Sequence, residues 1–245
     1  ITFRNNQTSQ HGGAIYALDS LAISGDNTNL TFHDNSALYN GGAIYTNYLT
    51  IKNISGGGLD FCNNLAWGED STNGKGGAIF AMNDISLIDA SITFRNNRTW
   101  YGLRNSLVCK NRLAYCPSGS GGAIFANNLT ITGDRTNLLF NNNKGRVGGG
   151  AIAATYLNIA NTSKGYMNCI SNNAYDGDGG AFFSQNIRLI DVSIVFNQNM
   201  TDGAAGHVGG AIATRQLSYY EASHNEILTI SGDSTYLIFN NNISA

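Results

Sequence analysis

Apolar residues in this chain come in short bursts that return at a steady interval. Leu30 and Phe32, Leu59 and Phe61, Ile92 and Phe94, Ile194 and Phe196, and Leu237 and Phe239 each bracket a single residue. That is period two, the mark of a strand with one buried face. A second burst reads "LAISG" from Leu21, "LTIKN" from Leu49, "LTITG" from Leu129 and "LTISG" from Leu228. A third follows Gly-Gly-Ala, which continues into Ile or Phe and begins at Gly12, Gly41, Gly76, Gly121, Gly149, Gly179 and Gly209. Gly, Asn, Asp and Ser separate the bursts, as turn residues do. No segment sustains the 3.6-residue period of a helix.

The first burst carries a signature, Phe-x-x-Asn. It pairs Phe3 with Asn6, Phe32 with Asn35, Phe61 with Asn64, Phe94 with Asn97, Phe140 with Asn143, Phe196 with Asn199 and Phe239 with Asn242. An eighth copy, "CISN", has Cys169 in the Phe place. Repetition at this interval means a stacked array whose units share one core. Three short strands per unit predict an all-β fold, a right-handed parallel β-helix of seven or eight coils. At about 4.8 Å per coil it is a prism roughly 35 Å long. The Phe residues should face inward and stack from coil to coil. The Asn residues should occupy the following turn in left-handed geometry, bonded to backbone and to one another. Gly-Gly supplies a corner too tight for side chains. The residue after Ala-Ile (Tyr16, Tyr45, Phe80, Phe125, Ala153, Ala213) or Ala-Phe (Phe183) varies enough to be placed on the outer face. The pattern fills residues 1–245 as one domain, with insertions at 65–75, 98–120, 200–208 and 215–226.

Composition agrees with a solenoid. Pro occurs once, at Pro117, as expected where interior strands need every N–H. The 30 glycines would suit low-complexity disorder, but 42% of residues are hydrophobic and recur in register. Charged residues are 12% and the net charge is −2, which gives no reason to expect a nucleic acid or a general membrane surface as partner. No apolar run approaches the length of a transmembrane helix. The chain opens inside a strand without Met or a signal peptide, so it reads as an internal piece of a longer protein. Cys62, Cys109, Cys116 and Cys169 have no zinc-site spacing. Cys169 should fill core, Cys62 should point outward, and Cys109 and Cys116 are placed for a local disulfide if the protein is exported.

Interleaved Gly-Gly-Ala-Ile and Phe-x-x-Asn, from Phe3 to Asn242, resemble the polymorphic membrane proteins of the chlamydiae. The resemblance implies a surface-exposed autotransporter passenger, attached to the outer membrane only through a barrel outside this segment or secreted after processing. It implies an adhesin and surface antigen whose partner is a host cell-surface receptor. A bacterial source also fits the sequons begun by Asn6, Asn97, Asn199 and Asn242, because a glycan on a ladder Asn would disrupt the stack.

Insertions are where a solenoid carries individuality. The longest, 98–120, holds Arg98, Trp100, Tyr101, Arg104, Lys110, Arg112 and Tyr115 and no acidic residue. With Trp67 from the neighbouring insertion, these suit a partner surface, for a sulfated glycan or an acidic patch of a protein receptor. The alternative is a disulfide-tied loop with a solvated charged face. Two further readings stand beside adhesion. One is a structural spacer or self-associating stalk. The other is a β-helix polysaccharide lyase or hydrolase using Asp176, Asp178 and His207. No cofactor or metal is expected, and Asp26, Asp134 and Asp233 in "SGD" and "TGD" read as turns.

Overall fold

The computed structural model describes residues 1–68, 73–100, 119–202, 208–214 and 227–244. It is an all-β solenoid in which every strand pairing among the described residues is parallel and joins a segment to its counterpart one coil away. The Phe-x-x-Asn strands form an unbroken ladder in one register, Phe3 to Phe32, Phe61, Phe94, Phe140, Cys169, Phe196 and Phe239. The other two bursts run together as one strand, for example Ile15–Ser24, Ile124–Thr132 and Ile152–Ala160. Pairing slips between the bursts, between Thr46 and Tyr48 and between Phe125 and Asn128.

Period-two alternation sends one set of side chains into a continuous lumen. Phe32, Phe61, Phe94, Phe140, Cys169 and Phe196 are all 0% exposed. Phe rings stack face to face, 4.6 Å apart for Phe32 and Phe61 and 5.0 Å for Phe94 and Phe140, with planes within 11°. The Ile of Gly-Gly-Ala-Ile forms a second column, Ile44, Ile79, Ile124 and Ile152, continued by Phe182 and Ile212. Phe182 lies in the same coil as Cys169. Its ring meets Phe196 edge-on at 5.0 Å and 83°, so extra bulk in one column accompanies missing bulk in the other.

The Asn ladder is fully bonded through the interior. Asn97 Nδ2 donates to Asn143 Oδ1 at 3.0 Å and to the Phe61 carbonyl at 2.8 Å. Asn97 Oδ1 accepts from Asn64 N at 3.0 Å and Asn64 Nδ2 at 2.9 Å. The pattern recurs at Asn35, Asn64, Asn143, Asn172 and Asn199. The left-handed residue is the one before the ladder Asn, contrary to expectation. Asn5, Asp34, Asn63, Asn96, Asn142, Ser171, Gln198 and Asn241 have φ between 51° and 56°. That one left-handed step turns the chain and leaves the next side chain aimed along the ladder.

Because two of the bursts merge, a typical coil still has three strands, and the third is one that none of the bursts announced. After each ladder Asn, two residues form a rung of a separate eight-stranded sheet: Gln7–Thr8, Ser36–Ala37, Leu65–Ala66, Arg98–Thr99, Lys144–Gly145, Asn173–Ala174, Met200–Thr201 and Ile243–Ser244. In the interior coils the second residue of each rung is small and buried, and the first is turned outward. Three of the expected insertions therefore begin with residues that belong to rungs.

The Gly-Gly corner is steric. Gly121 has φ 70°, and a Cβ there would lie 2.1 Å from the Ile124 carbonyl oxygen. A Cβ on Gly122 would lie 2.0 Å from the Gly150 carbonyl oxygen of the next coil.

Two placements differ from the sequence expectation. The aromatic residue after Ala-Ile does leave the lumen, yet Tyr45 and Phe80 are each 7% exposed and Phe183 is 0%. The segment preceding Gly-Gly folds across them. The His11 ring sits 4.4 Å from Tyr45, Lys75 Nζ lies 5.0 Å over Phe125, and Gly148 backs directly onto the Phe183 ring. Tyr16, Tyr45, Phe80 and Phe125 consequently stack as a second aromatic column at 5.1, 5.1 and 5.5 Å. Cys62 likewise takes an outward position, in register with His33 and Arg95, but is only 6% exposed.

Candidate functional site

The short-rung sheet positions the exposed aromatic and basic residues. Its outward positions, in axial order, are Gln7, Ser36, Leu65, Arg98, Lys144, Asn173, Met200 and Ile243. Two of these are charged, both are positive, and they are direct partners in the register, Lys144 to Arg98. Adjacent strands are about 4.8 Å apart, so two exposed cations face the same solvent at short range. Their backbone N–H groups donate to the Asn64 and Asn97 carbonyls, while neither side chain has a hydrogen-bond or ion-pair partner among the described residues. Elsewhere Arg95 pairs with Asp60 at 2.7 Å, Arg135 with Asp89 at 3.4 Å and Lys164 with Asp134 at 2.6 Å.

Two residues beyond the rung, on the same face, stand the tryptophans. Trp67 N donates to the Ala37 carbonyl and Trp100 N to the Ala66 carbonyl, which continues the ladder by one residue. The two indoles are 41% and 49% exposed, with ring centroids 6.3 Å apart. Trp67, Trp100, Arg98 and Lys144 thus form a flat aromatic and basic patch across three coils. At its margin, Gly119 brings the long insertion back against the next rung. Thr99 Oγ1 donates to the Gly119 carbonyl, as does Arg146 N. Arg146 lies 3.9 Å from Asp176.

The structure thus brings Trp67 and Trp100 together. Tyr101, Arg104, Lys110, Arg112 and Tyr115 lie outside the described residues, as do Cys109 and Cys116. The sequence reading did not mark Lys144, which is 46 residues from Arg98 and meets it only through strand register. The spacing between successive Phe-x-x-Asn motifs carries that signal, since counting from each Asn aligns the two positions.

The carboxylates of the hydrolase reading have structural partners. Asp178 is 1% exposed, and its Oδ1 accepts the Val208 N–H at 2.9 Å; its carbonyl accepts the Gly149 N–H. Asp176 lies beside Arg146, and His207 is outside the described residues. Gly25, Gly133 and Gly232 have positive φ, and each precedes an aspartate within a turn, as read for Asp26, Asp134 and Asp233. Burial raises the Cys169 thiol well above its ordinary value, so it is a core filler and not a nucleophile.

The profile of the Chlamydia polymorphic membrane protein repeat matches residues 1–18, 29–47, 58–82, 91–127 and 137–155. The chain is 28% identical over 239 residues to a protein named probable outer membrane protein PmpF of Chlamydia trachomatis serovar D, covering 97% of this chain and 16% of that protein. It is 29% identical over 227 residues to probable outer membrane protein pmp7 of Chlamydia pneumoniae, covering 86% and 22%. It is 30% identical over 257 residues to probable outer membrane protein PmpD of Chlamydia trachomatis serovar D, covering 89% and 16%. The chain therefore spans less than a quarter of the length of each of these relatives. No solved structure matches it. With its Phe and Asn columns, its Gly-Gly corners and these matches, the chain belongs to the Chlamydia polymorphic membrane protein repeat family.

Proposed function

We propose that this chain is a non-catalytic adhesin segment, part of an autotransporter passenger on the outer face of the bacterial outer membrane, that binds a host-cell surface molecule. The observation that carries the reading is the exposed patch of Trp67, Trp100, Arg98 and Lys144 on a rigid scaffold. Exposed tryptophans cost solubility and like charges on adjacent strands cost electrostatic energy, and recognition surfaces are enriched in aromatic residues and Arg. The names of the relatives, probable outer membrane proteins, support the location. Beads coated with the chain should adhere to host cells. Replacing residues 101–118 by a short Gly-Ser turn keeps the Arg98–Thr99 rung and tests whether the insertion adds to the patch.

A spacer is the second reading, favoured by the Asn column that continues through every coil and the Phe column that is interrupted at Cys169 alone. Failure of both bead preparations to adhere would support it. Cleavage of a polysaccharide panel, abolished by Asp178→Asn, would revive the enzyme.

A further inference from the structure

We propose that the Trp67, Trp100, Arg98 and Lys144 patch takes an anionic polysaccharide, a sulfated or uronic-acid glycan, as its ligand; this rests on the adhesin reading of the same surface. Three features of the patch select that chemistry. First, Arg98 and Lys144 are like charges on facing positions of adjacent strands, an arrangement that is unfavourable by itself. An anion set between them turns the repulsion into two charge-assisted bonds. The outward positions flanking them on the same sheet are Leu65 and Asn173, so no acidic residue of the sheet competes for them. Asp176 is already engaged with Arg146 at the margin.

Second, the aromatic half presents flat faces. Two indoles with centroids 6.3 Å apart and planes tilted by 34° offer a shallow platform and no pocket. A pyranose ring has an apolar C–H face that can lie on such a platform while its substituents project sideways. Trp100 follows the Arg98–Thr99 rung and continues its pairing through the Ala66 carbonyl, two residues from Arg98, so the anionic substituents of such a ring project toward the guanidinium.

Third, the patch is extended along the helix axis. Leu65 to Lys144 covers three rungs, about 10 Å at the inter-strand spacing. A linear polymer can follow that line, whereas a small ligand would remain largely solvated on so open a surface. Affinity per site should be modest and gain from repeated contacts along one polymer.

Binding of the whole chain to immobilised heparin, chemically desulfated heparin and dextran tests the proposal, at about 0.05 M and about 0.5 M salt. Expected is binding to heparin that weakens at high salt, weaker binding to the desulfated form, whose carboxylates remain, and none to dextran. The Arg98→Ala, Lys144→Ala double variant should bind heparin at least about tenfold more weakly, as should Trp67→Ala, Trp100→Ala. Lys52→Ala, an exposed lysine on another face, should change binding less than about twofold. Absence of heparin binding at low salt, or an equal loss in the Lys52 variant, would overturn the site. The cell assay separates this from the adhesin reading. If beads adhere equally to heparinase-treated cells, and both patch variants adhere as the parent does, the glycan is overturned while adhesion stands. If heparin binds as expected but beads adhere to no cell, the adhesin reading fails while the glycan site stands.

Discussion

Replacing Asn97 by Ala is the most informative single perturbation of this fold. Asn97 is 0% exposed and its side chain makes four hydrogen bonds, two as donor and two as acceptor. The variant leaves Asn64 N and one Nδ2 proton of Asn64 without their acceptor, in a site closed to water. Asn143 Oδ1 keeps the Asn97 backbone N–H at 3.1 Å, so that acceptor is only half deprived. Two orphaned buried donors at about 1–3 kcal/mol each set the scale, and local relaxation lowers it to about 3 kcal/mol overall. Asn242 provides the internal control. It ends the ladder and is only partly buried, so water can replace its bonds, and Asn242→Ala should cost less than about 1 kcal/mol. Asn97→Asp adds a second signature. The carboxylate would accept from Asn64 but oppose the Phe61 carbonyl and Asn143 Oδ1, so its folded-state pKa should rise above the unfolded value. The penalty should then be full at neutral pH and shrink as the pH falls through the folded-state pKa. Urea unfolding followed by circular dichroism, with m-values compared to confirm a common transition, measures all three. If Asn97→Ala costs no more than Asn242→Ala, the ladder does not stabilise the fold in the way its geometry implies.

Three further outcomes follow. Cys169→Phe should overpack its coil and cost about 1–3 kcal/mol, and adding Phe182→Ile should recover at least about 1 kcal/mol of that in a double-mutant cycle of unfolding free energies. In native protein Cys169 should resist thiol reagents that label it fully in urea, as mass mapping would show, whereas Cys109 and Cys116 should appear as a disulfide after oxidation. Burial holds the His11 imidazole below its ordinary 6.5, beside Tyr16, Tyr39 and Tyr45, with Nδ1 accepting the Asn40 N–H. The unfolded chain therefore takes up its proton first as the pH falls. Stability should decline from about pH 6.5 downward and level off below the folded value, and His11→Asn should flatten that decline in melting curves.

The Phe and Asn columns, the Gly-Gly corners and the parallel coil stack were legible in the sequence. Each rests on local chemistry repeated seven or eight times, and repetition averages out exceptions such as Cys169. Three matters were decided only by tertiary structure. The left-handed step falls on the residue before each ladder Asn, because the Asn side chain must point along the axis to reach its neighbour. The aromatic residues after Ala-Ile are covered although they face outward, because the stretch before Gly-Gly folds back over them, a contact no local pattern records. The two-residue rungs have no hydrophobic alternation long enough to announce a strand. Yet they set the register that places Lys144 beside Arg98 across 46 residues and Trp100 beside Trp67 across 33. Residue type marked the aromatic and basic side chains as candidates; only stacking of coils about 4.8 Å apart makes them one surface.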